Sequence, residues 1–205
     1  MKLITSKKPS QKAFTLIEMI GVLAVIAILA ALLIPKVFSA INEARVNGVS
    51  ITINTVKSAT ADHYGKYGKF NTVFGTNDLA TTGVITNSFD KILLAEGFID
   101  KPFTAKVAGG VAGGDSSTNA ILRLVAGGTD NAGTGYSLDG TANATSTASF
   151  VVEAVMYGVA QQDAKDLNDL IDGAALGVTS GADTKGRVEY ASGNPTTVYI
   201  YVTHR

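Results

Sequence analysis

The chain contains no cysteine, which removes structural disulfides and thiolate-bound zinc from consideration. Histidine is scarce. His63 and His204 are the only two, too far apart in sequence to form a metal motif, and each reads as a surface or interface residue. No nucleophile stands beside a base in any recognisable spacing, so the sequence indicates neither an enzyme nor a cofactor. Charge of one sign is also missing, with 17 basic residues against 17 acidic ones.

That balance hides an asymmetry. Lys2, Lys7, Lys8 and Lys12 all precede Ala13, where no acidic residue occurs. Without this leader, 13 basic residues face 17 acidic ones, a net charge of about −4. Such a domain offers nucleic acid no electrostatic footprint.

Hydrophobic residues are abundant, at 46%, and they are concentrated in one block. From Phe14 to Ile34 the chain reads FTLIEMIGVLAVIAILAALLI, with Thr15 and Glu18 as its only clearly polar residues. Crossing a bilayer as a helix takes about 20 apolar residues. Lysines on the N-terminal side keep that end cytoplasmic under the positive-inside rule. A secretory signal peptide cut near Ser39 or Ala40 is the competing reading. The apolar core is too long for it and carries a carboxylate. A plain signal anchor fails on the same glutamate.

Glu18 is the most informative residue. A carboxylate inside a membrane span costs about 2.5–3.5 kcal/mol on insertion scales, and such groups usually have a function and a partner. No basic residue lies between Phe14 and Ile34. One candidate partner is an α-amino group created by cleavage before Phe14, either four residues away in the same helix or on a neighbouring chain.

The stretch Lys12-Ala13-Phe14-Thr15-Leu16-Ile17-Glu18-Met19 resembles the processing site of type IV prepilins and type II secretion pseudopilins. The resemblance implies cleavage between Ala13 and Phe14 by a prepilin peptidase, which also methylates the new amine. Glu18 then becomes the fifth mature residue and serves assembly. The family more often has glycine where Ala13 stands. Gly21 and Pro35 are the expected kink positions, Pro35 matching a proline that marks a segment able to loosen in filaments. Alternatively, Pro35 simply ends the membrane span.

After Pro35 the pattern turns amphipathic. Val46, Val49, Ile53, Val56 and Thr60 recur at spacings of three and four, while Asn42, Glu43, Arg45, Asn47 and Lys57 fill much of the remainder. The helix is expected to run to about Tyr64 and to stop at Gly65 and Gly68. At 1.5 Å per residue it would be roughly 75 Å long.

The remainder reads as a head. KYGKFNTVFGTNDLATTG is loop-like, and SFDKILLAEG is a short helix capped by Asn87 or Ser88 and stopped by Gly97. Ala120–Ala126 and Ser149–Tyr157 are strands, separated by a long loop expected to be flexible and exposed. QQDAKDLNDLIDG is a helix ended by Gly173, with Leu167, Leu170 and Ile171 on one side. Gly186–Ala191 and Thr196–Thr203 form a hairpin in which Thr197, Tyr199 and Tyr201 alternate with Val198, Ile200 and Val202. The fold class is α+β, an antiparallel sheet packed on a long N-terminal helix. The domains are a leader at 1–13, a membrane or filament-core helix at 14–35, an amphipathic half at 36–65 and a head at 66–205.

Several tempting sites fail. The loop Asp130-Asn131-Ala132-Gly133 lacks EF-hand spacing, and Asp183, before the last hairpin, belongs to no calcium motif. Asp163, Asp166, Asp169 and Asp172 read as a solvated helix face. GGVAGG lacks the context of a phosphate loop, and Asn143-Ala144-Thr145 is a glycosylation sequon by pattern only.

These features point to a structural pilin of a type IV pilus. Its precursor would sit in the inner membrane, its partners being further copies of itself, the peptidase and an inner-membrane assembly platform. A pseudopilin of a type II secretion system is the alternative. A membrane-anchored binding protein that never polymerises is a third reading.

Overall fold

A computed structural model of the chain describes residues 14–68, 70, 89–110, 119–126, 135–138, 140, 150–177 and 181–204. The leader, the 71–88 segment with its helix-cap candidates, the 130–133 and 143–145 motifs and most of GGVAGG lie outside these residues. The chain forms two compact units, 1–41 and 42–205.

Helix α1 spans Leu16–Tyr67 and passes through Pro35. It therefore runs three residues beyond the expected end. Gly65 stays helical, and the stop is Gly68, whose φ of 69° lets its N–H reach the Tyr64 carbonyl at 2.7 Å. Within the first unit every described side chain is exposed. In the second unit α1 buries Val46, Val49, Ile53, Val56, Ala59, Thr60 and His63, the stripe that the three-and-four spacing foretells. Arg45, Asn47 and Lys57 remain exposed.

Helix α2, Phe89–Ala95, ends in a Schellman motif. Phe98 N–H bonds Leu93 O at 2.9 Å and Gly97 N–H bonds Leu94 O at 3.1 Å, with Gly97 at a φ of 76°. Strands β1 (Ala120–Ala126) and β2 (Phe150–Val159) follow, then helix α3 (Gln161–Ile171), β3 (Val188–Tyr190) and β4 (Thr196–His204). They form one sheet of order β1-β2-β4-β3, antiparallel at every pairing. β2 runs two residues past its expected end. Its extension works because Gly158 adopts a φ of 68° and lets Gly109 and Gly110 pair against it.

One sheet face carries Leu122, Leu124, Val152, Ala154, Met156, Val198, Ile200 and Val202 into a single core with the α1 stripe, Phe103 and Leu167. Burying each of the larger of these side chains, the valines, leucines, Ile200 and Met156, contributes about 1.5–3 kcal/mol. The opposite face is covered as well, contrary to the expectation of an exposed loop after β1. Tyr136 from that loop is fully buried and packs with Val151 and Tyr201. Its phenol donates to Glu153 Oε2 at 2.9 Å, and Glu153 also pairs with Arg123 directly across the β1–β2 ladder. Burial, and then the adjacent Glu153 carboxylate, pushes the Tyr136 phenol well above its ordinary pKa.

Three further expectations are corrected. His63 is fully buried, not a surface residue. Its Nδ1 lies 2.7 Å from the Glu96 carboxylate and its Nε2 lies 3.3 Å from the Phe70 carbonyl. Leu170 does not share the apolar side of α3. It is 47% exposed, and Asn168 takes the buried position beside Ala164 and Leu167. The α3 aspartates are not all a solvated face, since Asp172 accepts N–H bonds from Arg187 at 2.7 Å and Val188 at 2.8 Å. The alternation in the closing hairpin does not leave its tyrosine face open, since Tyr201 is buried beneath Tyr136.

The Leu122 and Leu170 environments give a direct test. Leu122→Ala is expected to cost about 2–5 kcal/mol, whereas Leu170→Ala should stay within about 0.5 kcal/mol. Denaturant midpoints of the detergent-solubilised chain would separate them.

Candidate functional site

The candidate site is the start of α1, and it is built from a local pattern. Thr15 stands at the N-cap and Glu18 three residues on, immediately ahead of an apolar run. This is the capping-box arrangement, in which each side chain satisfies a backbone donor that the helix start leaves without a partner. Glu18 N–H donates to Thr15 Oγ1 at 3.3 Å. The Glu18 carboxylate reaches back, its Oε2 accepting the Thr15 backbone N–H at 2.8 Å and the Thr15 hydroxyl at 2.7 Å. The carboxylate is thereby fixed over the helix N-terminus, where the macrodipole favours negative charge.

The sequence reading missed Thr15 as a functional residue. The signal was present, because a threonine three residues before a glutamate at the head of an apolar run is the capping signature. Of the residues that reading did select, Ala13 lies outside the described residues. Phe14 is exposed and precedes the helix, and Glu18 is in its first turn. Gly21 and Pro35 lie farther along the same helix. Gly21 has nothing within 4 Å of the position a Cβ would take. Pro35 leaves the Ala31 carbonyl without its usual helical donor, and the Pro35 carbonyl accepts the Ser39 hydroxyl at 3.2 Å.

Helix α1 is long and apolar enough to cross a membrane, and none of its most apolar 18-residue window is buried. Beyond Glu18, the described residues of this unit carry one further charged side chain, Lys36, at the opposite end of the apolar run. The arrangement provides no catalytic pair. It provides an uncovered apolar rod carrying one fixed carboxylate near its tip.

In the head, Asp183 is buried and structural. Its Oδ1 accepts the Lys185 N–H at 3.0 Å, and its Oδ2 accepts the Asn168 side-chain amide. Its backbone exchanges two bonds of 2.9 Å with Tyr190. Among the described residues no three His, Cys, Asp or Glu side chains are grouped to hold a metal ion.

Comparison with known proteins places a family signature on this same segment. Residues 8–34 match the model of the prokaryotic N-terminal methylation motif, the prepilin-type cleavage and methylation signal of type IV pilins and pseudopilins. No curated protein matches the chain, and no solved structure matches it. The motif identifies a pilin or pseudopilin signal, and the helix-on-sheet head has a pilin-like α+β architecture.

The capping box predicts a local effect. Thr15→Ala should weaken the first turn by about 1 kcal/mol, so amides of Ile17 to Met19 exchange several-fold faster in micelles, while Thr15→Ser stays close to the parent.

Proposed function

We propose that the chain is a structural subunit of a type IV pilus, cut between Ala13 and Phe14 and methylated on the new amine. The observation that carries this reading is the methylation motif at residues 8–34 lying on a helix whose most apolar window finds no cover among the described residues. An uncovered rod of this kind needs either lipid or copies of itself. A filament supplies the copies, and it supplies Glu18 with a neighbouring subunit's N-terminal amine. With an unperturbed pKa of about 7.7–8, that amine is largely protonated at neutral pH. The pair offsets the cost of about 2.5–3.5 kcal/mol that an apolar medium sets on the carboxylate. Before assembly, Thr15 keeps the carboxylate hydrogen-bonded within its own chain.

In this reading residues 1–13 are the leader, 14–35 the membrane and filament-core segment, 36–65 the amphipathic half and 66–205 the head. The precursor sits in the inner membrane with its N-terminus cytoplasmic. A peptidase–methyltransferase and an assembly platform act on it there. Gly21 and Pro35 are the places where α1 loosens as the filament forms. A pseudopilin of a type II secretion system shares the motif, and the short helix α2 ahead of the sheet does not separate the two. A membrane-anchored binding protein that never polymerises is the reading of a different class.

The N-terminal peptide of the protein sheared from the cell surface separates these. A mass corresponding to methylated Phe14 in that fraction is expected for the pilus subunit. The same peptide confined to membranes would favour the pseudopilin. An intact Met1, or a cut near Ala40, would sink both. Glu18→Ala should abolish incorporation into filaments while the chain still reaches the membrane. Undiminished incorporation of that variant would remove the charge-pairing account.

A further inference from the structure

Beyond Ile41, the two most exposed large apolar side chains among the described residues are Ile51, at 68%, and Leu170, at 47%. They sit in opposite electrostatic settings. Ile51 lines a groove of 540 Å³ between α1 and the 98–106 segment, with Arg45, Lys101 and Lys106 on its rim against Asp100. Gly48 floors part of this groove, and nothing lies within 4 Å of the position its Cβ would occupy. The result is a dent one turn from Ile51, bordered by Thr52. Leu170, by contrast, shares a face of α3 with Asp163 and Asp166, the i, i+3, i+7 positions of one helical stripe. Asp169 is on another face, paired with Lys165 at 2.9 Å. Arg45 already lies within electrostatic range of Asp163 in the same chain, while Lys101 and Lys106 are exposed at the groove.

We propose that the α3 face of one subunit docks into the α1 groove of the next, Leu170 entering the dent at Gly48 beside Ile51 and Asp166 facing Lys101 and Lys106. The stripe from Asp163 to Leu170 is about 10 Å long, two helical turns, and the groove runs along α1 from Arg45 to Thr55, about 15 Å. The two surfaces are formed by different elements, the groove by α1 with the 98–106 segment and the stripe by α3. Such a contact joins unlike patches and does not close on itself as a two-fold dimer does, so it propagates into an open assembly. The inference rests on the filament reading and names the head-to-head contact within it.

The absence of cysteine from the chain makes the contact directly testable by cross-linking in cells. A chain carrying both Ile51→Cys and Leu170→Cys should give a reducible ladder of dimers, trimers and higher species in sheared filaments. Either substitution alone should give monomer. A dimer from Ile51→Cys alone would show a symmetric contact and overturn the proposal. Filaments beginning at methylated Phe14 but lacking a ladder would overturn the contact and leave the filament reading intact. Absence of such filaments would overturn the filament reading and the contact together. Gly48→Leu provides the second arm, because its Cβ enters the dent with nothing within 4 Å and it improves helix propensity. The full chain should keep or raise its melting temperature while filament yield falls at least several-fold. Undiminished filament yield would overturn the docking site.

Discussion

The head is organised by one requirement, that α1 bury its apolar stripe from Val46 to His63. The stripe is continuous, so it needs a flat apolar surface several strands wide. The alternate residues of β1, β2 and β4 supply it, as Leu122, Leu124, Val152, Ala154, Met156, Val198, Ile200 and Val202 meet the stripe in one core. The flanks that α1 leaves open are filled by α2 with Phe103 on one side and by α3 on the other. Gly48 and Ile51 fall off the stripe by their position on the helix, which is why a groove remains there.

Two polar groups caught in this packing, Glu153 and His63, are put to structural use. Glu153 is a carboxylate in the middle of the sheet, satisfied by the Arg123 guanidinium across the ladder and by the Tyr136 phenol. An unpaired charge at that position would be strongly destabilising, so the pair and the tyrosine also fix where the loop after β1 returns to the sheet. His63 does the same at the end of α1. It is ringed by Tyr67, Phe89 and Phe98, with centroids 5.0, 5.5 and 5.8 Å away, and is tied to Glu96 behind α2.

Much of this was legible in the sequence, because the long helix, the strands and the closing hairpin depend on periodicity. Val46, Val49, Ile53 and Val56 declared their stripe by spacing, and Val198, Ile200 and Val202 declared theirs by alternation. The failures have a common physical origin. The burial of Tyr136 and His63 and the exposure of Leu170 depend on what packs around them from distant parts of the chain, which local pattern does not encode. The Arg123–Glu153 pair left a trace, a single charge in each of two apolar strands, but only the register brings the two opposite each other. Thr15 was different, since its bond partner is three residues away and the pattern was open to view.

The strand order has a consequence in time. β4, made after every other strand, is inserted between β2 and β3 rather than added at an edge. Until its residues emerge from the ribosome, β2 presents an unpaired edge whose apolar residues from Val151 to Met156 lack their final neighbour. β3, only three residues long, has nothing to pair with. An exposed edge of this composition is a template for wrong partners. The α1 helix is complete well before the sheet it packs on, which is closed only when β4 follows β1, β2 and β3. A nascent or truncated chain is thus a formed helix tethered to an unfinished sheet, the species on which a chaperone or protease would act.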